Sequence, residues 1–137
     1  MLKHVNVIAL EKQFVRLQAE LIILRTKFYR EASASLNEAM VEFQSCRCED
    51  GGLTEHACWM LGLTKRLEDT LCNKGISEFM NTFEELDYDV WVQFNHEWWS
   101  LGLAIESIGE QINELHKQLL VAKQNNQLEQ AFKDAGF

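Results

Sequence analysis

Three cysteines and one histidine are the residues of this chain whose types and spacing could bind a metal ion. Cys46, Cys48, His56 and Cys58 provide enough thiolate and imidazole groups for tetrahedral zinc. However, cysteines separated by one residue chelate less well than the usual spacing of roughly two to four residues. A helix that begins near Thr54 would also direct His56 and Cys58 about 200° apart. We therefore expect reduced thiols beside a loop, with no metal and no cofactor, and keep a zinc site as the alternative.

The combinations of residues that support helical or hydrolytic enzymes each lack a required member. A carboxylate-bridged dimetal bundle needs an acid three residues before a metal-binding histidine. The residues at that position before His56, His96 and His116 are Leu53, Gln93 and Asn113. The chain also has no glycine-rich phosphate loop and no nucleophile elbow. The sequence therefore favours a protein that binds a partner over one that catalyses a reaction.

Acidic side chains dominate one long stretch of the chain. Between Lys74 and Lys117 the chain contains nine acidic residues and no lysine or arginine. Glu106, Glu110 and Glu114 are four residues apart, so a helix would place them on one face at steps of roughly 6 Å. That step is close to the distance between phosphates along a nucleic-acid strand. The predicted partner-binding residues are Glu97, Trp99, Leu103, Glu106, Glu110 and Glu114, with the two apolar side chains beside the charged ones.

The overall charge limits the classes of partner. The net charge is −8 and the sequence pI is about 5.0, which disfavours nucleic acid and anionic membranes and favours a basic protein surface. The longest aliphatic run, residues 21–24, is far shorter than the roughly 20 apolar residues of a membrane span. The N-terminus has no signal-peptide core, so we expect a soluble, cytoplasmic protein with reduced cysteines.

The elements that would position these residues are helices. The chain has no proline and seven glycines. Apolar residues alternate at three and four positions in two long stretches, which predicts helices over about 2–44 and 89–123. Two shorter helices are expected between them, one beginning after Thr54 as N-cap and ending before Gly75, and one near 78–86 with Phe79, Met80 and Phe83 inward. The second long helix is expected to begin after a cap at Asp87 or Asp89 and to break at residues 124–127.

These elements predict an all-α fold: an elongated antiparallel helical bundle built on the two long helices. The expected domain is a single one covering residues 1–137, with about ten frayed residues at its C-terminal end. A second apolar stripe on the first helix would remain outside the main seam. Its members are Ile8, Val15, Ile22 and Tyr29, and they predict dimerisation with a second copy of the chain.

Two functions remain open from the sequence. The first is a non-enzymatic protein that binds a basic surface of another protein, in its most specific form an inhibitor that imitates nucleic acid, as anti-defence proteins of mobile elements do. The second is a homodimeric coiled-coil scaffold or adaptor whose acidic face is only solvated. Catalysis is not expected in either case.

Overall fold

The computed structural model describes residues 7–136, and this part of the chain forms five helices. In chain order they are α1 (Val7–Gln44), α2 (Glu55–Lys74), α3 (Ile76–Glu84), α4 (Tyr88–Trp91) and α5 (Trp99–Asp134). The predicted all-α helical bundle with two long helices is therefore confirmed. Among the described residues, none of the helices combines the length and the apolar character that a membrane crossing would require.

The first long helix is close to its predicted extent. α1 is unbroken for 38 residues and contains neither glycine nor proline, so nothing in its sequence interrupts the backbone hydrogen bonds. Its end at Gln44 is as predicted. The predicted residues 2–6 lie outside the described part of the chain.

Two residues set the limits of α2, as predicted. The Thr54 hydroxyl accepts a hydrogen bond from the Ala57 backbone N–H at 3.1 Å, which satisfies one of the free donors at the start of the helix. At the other end Gly75 has φ of 94°, a conformation that suits glycine, and its N–H donates to the Thr70 carbonyl. α3 follows at once from Ile76, two residues earlier than predicted.

The predicted bounds of the second long helix, 89–123, are wrong at both ends, since α5 begins at Trp99 and ends at Asp134. Asp87 precedes α4, which has only four residues, and residues 92–98 leave the helical conformation before α5 begins at Trp99. In this connection the Asn95 side chain accepts from the Glu97 N–H at 3.0 Å, a local bond that competes with a helix. At the C-terminal side the predicted break at residues 124–127 does not occur, because Gln and Asn cost little helical stability compared with Gly or Pro.

The chain divides into two compact units, to which α1 and α5 both contribute. Of the described residues, the paired-helix unit comprises 7–24 together with 104–136. Here α1 and α5 run antiparallel, since Glu11 pairs with Lys123 at 3.4 Å and the Phe14 ring lies 6.0 Å from that of His116. Its core consists of the buried residues Leu17, Ile108 and Leu115, with Leu10, Phe14, Leu21, Leu24 and Ile112 packed against them.

The middle unit comprises residues 25–103 and has an aromatic core. Phe28, Phe79, Phe83 and Trp98 are all fully buried and contact one another mainly edge to face. The carbonyl of Asn95 accepts two hydrogen bonds, from the Trp98 indole N–H at 2.8 Å and from the Ser35 hydroxyl at 2.7 Å. These bonds fix the connection before α5 against α1.

Candidate functional site

The three regularly spaced glutamates lie on α5 in the paired-helix unit. Glu106, Glu110 and Glu114 are all exposed. Within residues 7–136 none of their carboxylates forms an ion pair. Four helical residues rise by about 6 Å, so the three carboxylates follow one another along the helix at that step. The result is a row of negative charges open to a partner, which we call the α5 acidic row.

No base of the same unit forms an ion pair with this row among the described residues. Lys117 follows Glu114 by one turn but does not come within ion-pair distance of it. Lys123 lies further along α5 and pairs with Glu11 of α1. The carboxylates of Glu106, Glu110 and Glu114 therefore remain available to the cations of a partner.

The other predicted partner-binding residues belong to the middle unit. Glu97 is exposed in the connection before α5. Trp99 is half-buried, with its ring 5.6 Å from that of Trp98. Leu103 exposes half of its surface. The six predicted residues are thus divided between the two units, three in each.

A second acidic feature of the middle unit was missed by the sequence analysis. Glu31 and Glu38 of α1 and Glu97 of the connection line a cleft of about 110 Å³, with Ser35 and Trp98 among its other lining residues. Glu31 and Glu38 are seven residues apart and so share a face of α1, a signal that the sequence did contain. Glu97 could not be placed beside them while it was assigned to the interior of a long helix.

The predicted dimerisation stripe lies on α1, and its members differ in their surroundings. Ile8, Val15 and Ile22 belong to the paired-helix unit and are 66%, 63% and 66% exposed. Tyr29 belongs to the middle unit, where it is 37% exposed and its ring meets the buried Phe28 edge to face at 6.4 Å. The stripe is therefore most exposed at the three positions in the paired-helix unit.

The alternative zinc ligands are not brought together. The thiols of Cys46 and Cys48 donate to the carbonyls of Glu42 and Leu53, at 3.4 and 3.6 Å. His56 Nε2 shares a hydrogen bond with Gln93 Oε1 at 3.0 Å, and Cys58 is an exposed free thiol. In the described part of the chain no three side chains of His, Cys, Asp or Glu are grouped closely enough to hold a metal ion.

His96 is the one group whose ionisation is clearly perturbed among the described residues. Its ring stacks on Trp91 at 3.7 Å with a 14° angle between planes, and its Nε2 is buried with no hydrogen-bond partner within residues 7–136. Burial lowers the pKa of His96 below its usual 6.5, and a hydrogen bond with the backbone of Trp91 opposes this with a smaller effect. Protonation would also create an N–H at Nε2 without an acceptor, so the folded protein favours neutral His96.

This burial predicts a loss of stability in mild acid. The unfolded chain binds a proton at His96 near pH 6.5, whereas the folded chain binds it only at lower pH. The stability that neutral His96 contributes is therefore present above pH 6.5 and decreases as the pH falls towards the folded pKa. We expect the urea midpoint of the wild type to fall more between about pH 7.5 and 5.5 than that of the His96→Gln variant. An equal fall in both proteins would show that His96 does not contribute.

Comparison of this chain with known protein families, with curated proteins and with solved structures found no match.

Proposed function

We propose that this protein binds a basic surface of a partner protein through the α5 acidic row. The observation that carries the proposal is the exposure of Glu106, Glu110 and Glu114 at regular steps with no ion pair among the described residues. This function requires neither a cofactor nor catalysis.

The arrangement has an energetic cost that a basic partner would relieve. Like charges four residues apart destabilise a helix by roughly 0.2–0.5 kcal/mol for each pair. Lysine or arginine side chains of a partner would replace this repulsion by attraction. They would also be drawn from a distance, since electrostatic complementarity raises association rates more than it raises affinity itself.

The most specific form of the proposal is inhibition by imitation of nucleic acid. A step of roughly 6 Å between carboxylates is similar to the step between backbone phosphates. A protein that holds nucleic acid with rows of lysine and arginine would accept such a row in the same channel. In the middle unit, the cleft lined by Glu31, Glu38 and Glu97 supports the same preference for a cationic partner, because three of its lining residues are acidic.

Neutralising the α5 acidic row is expected to remove binding without unfolding the protein. The variant Glu106→Gln, Glu110→Gln, Glu114→Gln keeps the size of each side chain and should keep the wild-type circular dichroism. Its melting temperature should equal or slightly exceed that of the wild type, because two like-charged pairs are removed. As bait on a column, we expect it to recover at least about threefold less of the partner from a lysate of the native host, since three rim charge pairs contribute roughly 0.6–3 kcal/mol together.

The matched control changes the same charge elsewhere. Glu20, Glu42 and Glu68 are exposed on α1 and α2, and their replacement by Gln also adds three charge units. This control should recover the partner as the wild type does. Equal loss in both variants would mean that net charge alone drives binding, and no loss in either would exclude the α5 acidic row as the binding surface.

A homodimeric scaffold is the second candidate function, favoured by the exposure of Ile8, Val15 and Ile22. In that case the acids only keep the protein in solution. The same capture experiment separates the two functions, because a scaffold would recover the same proteins with all three baits.

A further inference from the structure

We propose that the paired-helix unit associates with a second copy of itself, with α1 packed antiparallel against α1 of the other copy and Val15 on the two-fold axis. The proposal goes beyond the binding of a basic partner, which does not require it. It concerns a different surface from the α5 acidic row.

The surface is defined by its position around one ion pair. Glu11 of α1 and Lys123 of α5 meet at one side of the helix pair. Ile8 and Val15 lie three residues before and four after Glu11, so both lie beside it on α1. Ile22 continues the α1 stripe by seven further residues. We call Ile8, Val15 and Ile22 the apolar side; each is more than half exposed.

The spacing of the stripe matches a second copy of itself. Ile8 and Ile22 are equally far from Val15, about 10 Å along the helix in opposite directions. A two-fold axis at Val15 places Val15 against its symmetry mate and Ile8 against Ile22 of the other copy. An interface of this kind is self-complementary, as two-fold dimers require.

The area and the charge favour a second copy over the basic partner. Each exposed side chain of the apolar side leaves roughly 100 Å² open, so two copies would cover about 600 Å² of apolar surface. The smallest specific, stable interfaces cover about 1,200 Å² in total, somewhat more than half of it apolar, so the apolar side matches an interface of that size. Residues 7–24 carry two acids and two bases, so their net charge is zero and two copies meet without net repulsion. For the same reason this segment offers no net electrostatic attraction to a basic partner.

Val15→Asp tests this surface, with Val121→Asp as its matched control. Val121 is a similarly exposed valine of the same unit, but it precedes Lys123 by two residues and so lies about 200° from it around α5. Sedimentation equilibrium should find a wild-type dimer, at least a tenfold weaker dimer for Val15→Asp, and an unchanged dimer for Val121→Asp. Wild-type protein that stays monomeric up to about 100 μM, or equal effects of the two variants, would overturn the proposal.

A cross-linking experiment tests the position of the axis independently of dimer strength. In a background with Ser at Cys46, Cys48, Cys58 and Cys72, the Val15→Cys variant should be joined into covalent dimers by a short bifunctional thiol reagent. The Val121→Cys variant should remain monomeric under the same treatment. Equal yields from the two positions, or cross-linking at Val121 alone, would contradict the two-fold axis at Val15.

Discussion

Replacing Trp98 by alanine is expected to lower the free energy of unfolding by about 4 kcal/mol, the effect of removing a fully buried aromatic side chain. Trp98 is 1% exposed, and its ring lies 4.8–5.4 Å from the rings of Phe28, Phe79 and Phe83. Its indole N–H also donates to the Asn95 carbonyl. The substitution would therefore remove the centre of the aromatic core and one of the bonds that fix the connection before α5.

Urea denaturation followed by circular dichroism would measure this effect, and Trp59→Ala provides the control. Trp59 lies on α2 in the same unit but exposes half of its surface. Its removal should cost about 2 kcal/mol, roughly half of the cost at Trp98, because only about half of its apolar area leaves water on folding. Similar losses in the two variants would mean that Trp98 is not the centre of the core.

Gly102→Val is expected to destabilise the protein by about 3 kcal/mol through overpacking. Gly102 is buried in α5, and a β-carbon at this position would come within van der Waals overlap of the sulfur and terminal carbon of Met80 and would lie 3.1 Å from the Phe28 ring. Met80 and Phe28 are themselves buried, so moving the end of either side chain away from the valine would require the surrounding core to repack. Because the φ of Gly102 is not positive, the backbone conformation does not require glycine here. The close packing against Met80 and Phe28 does.

The same substitution at Gly62 shows whether the effect is one of packing. Gly62 lies within α2 with no atom near a β-carbon. Valine has a slightly higher helix propensity than glycine, so Gly62→Val should leave stability unchanged or raise it by a few tenths of a kcal/mol. Equal destabilisation at Gly62 and Gly102 would attribute both losses to β-branching in a helix and not to contact with Met80.

The sequence was sufficient to predict most of the fold because the local signals agreed with one another. The heptad seam of α1 has no helix breaker, and Thr54 and Gly75 act as caps with the hydrogen bonds expected of them. The prediction failed where tertiary contacts override an apolar period. Phe94 and Trp98 continue the three-four spacing, yet they enter the aromatic core from a non-helical connection that Asn95 stabilises.

The candidate site was predicted correctly where its residues lie on a regular helix and wrongly where they do not. Glu106, Glu110 and Glu114 lie on a regular helix, so a spacing of four was enough to place them on one exposed face. Glu97 was assigned to that helix and instead lies in the connection, where it lines a cleft with Glu31 and Glu38. Sequence spacing cannot bring together residues whose neighbourhood depends on where a helix is interrupted.

The salt dependence of partner binding tests the proposed function most directly. The dissociation constant of the captured partner would be measured for the wild type and for the triple Glu→Gln variant of the α5 acidic row, between about 0.05 and 0.3 M salt. We predict at least tenfold weakening of the wild type over this range and a much smaller change in the variant, because the variant has already lost the screened charges. A wild-type affinity that does not change with salt, or a variant with the same salt dependence, would contradict binding through Glu106, Glu110 and Glu114.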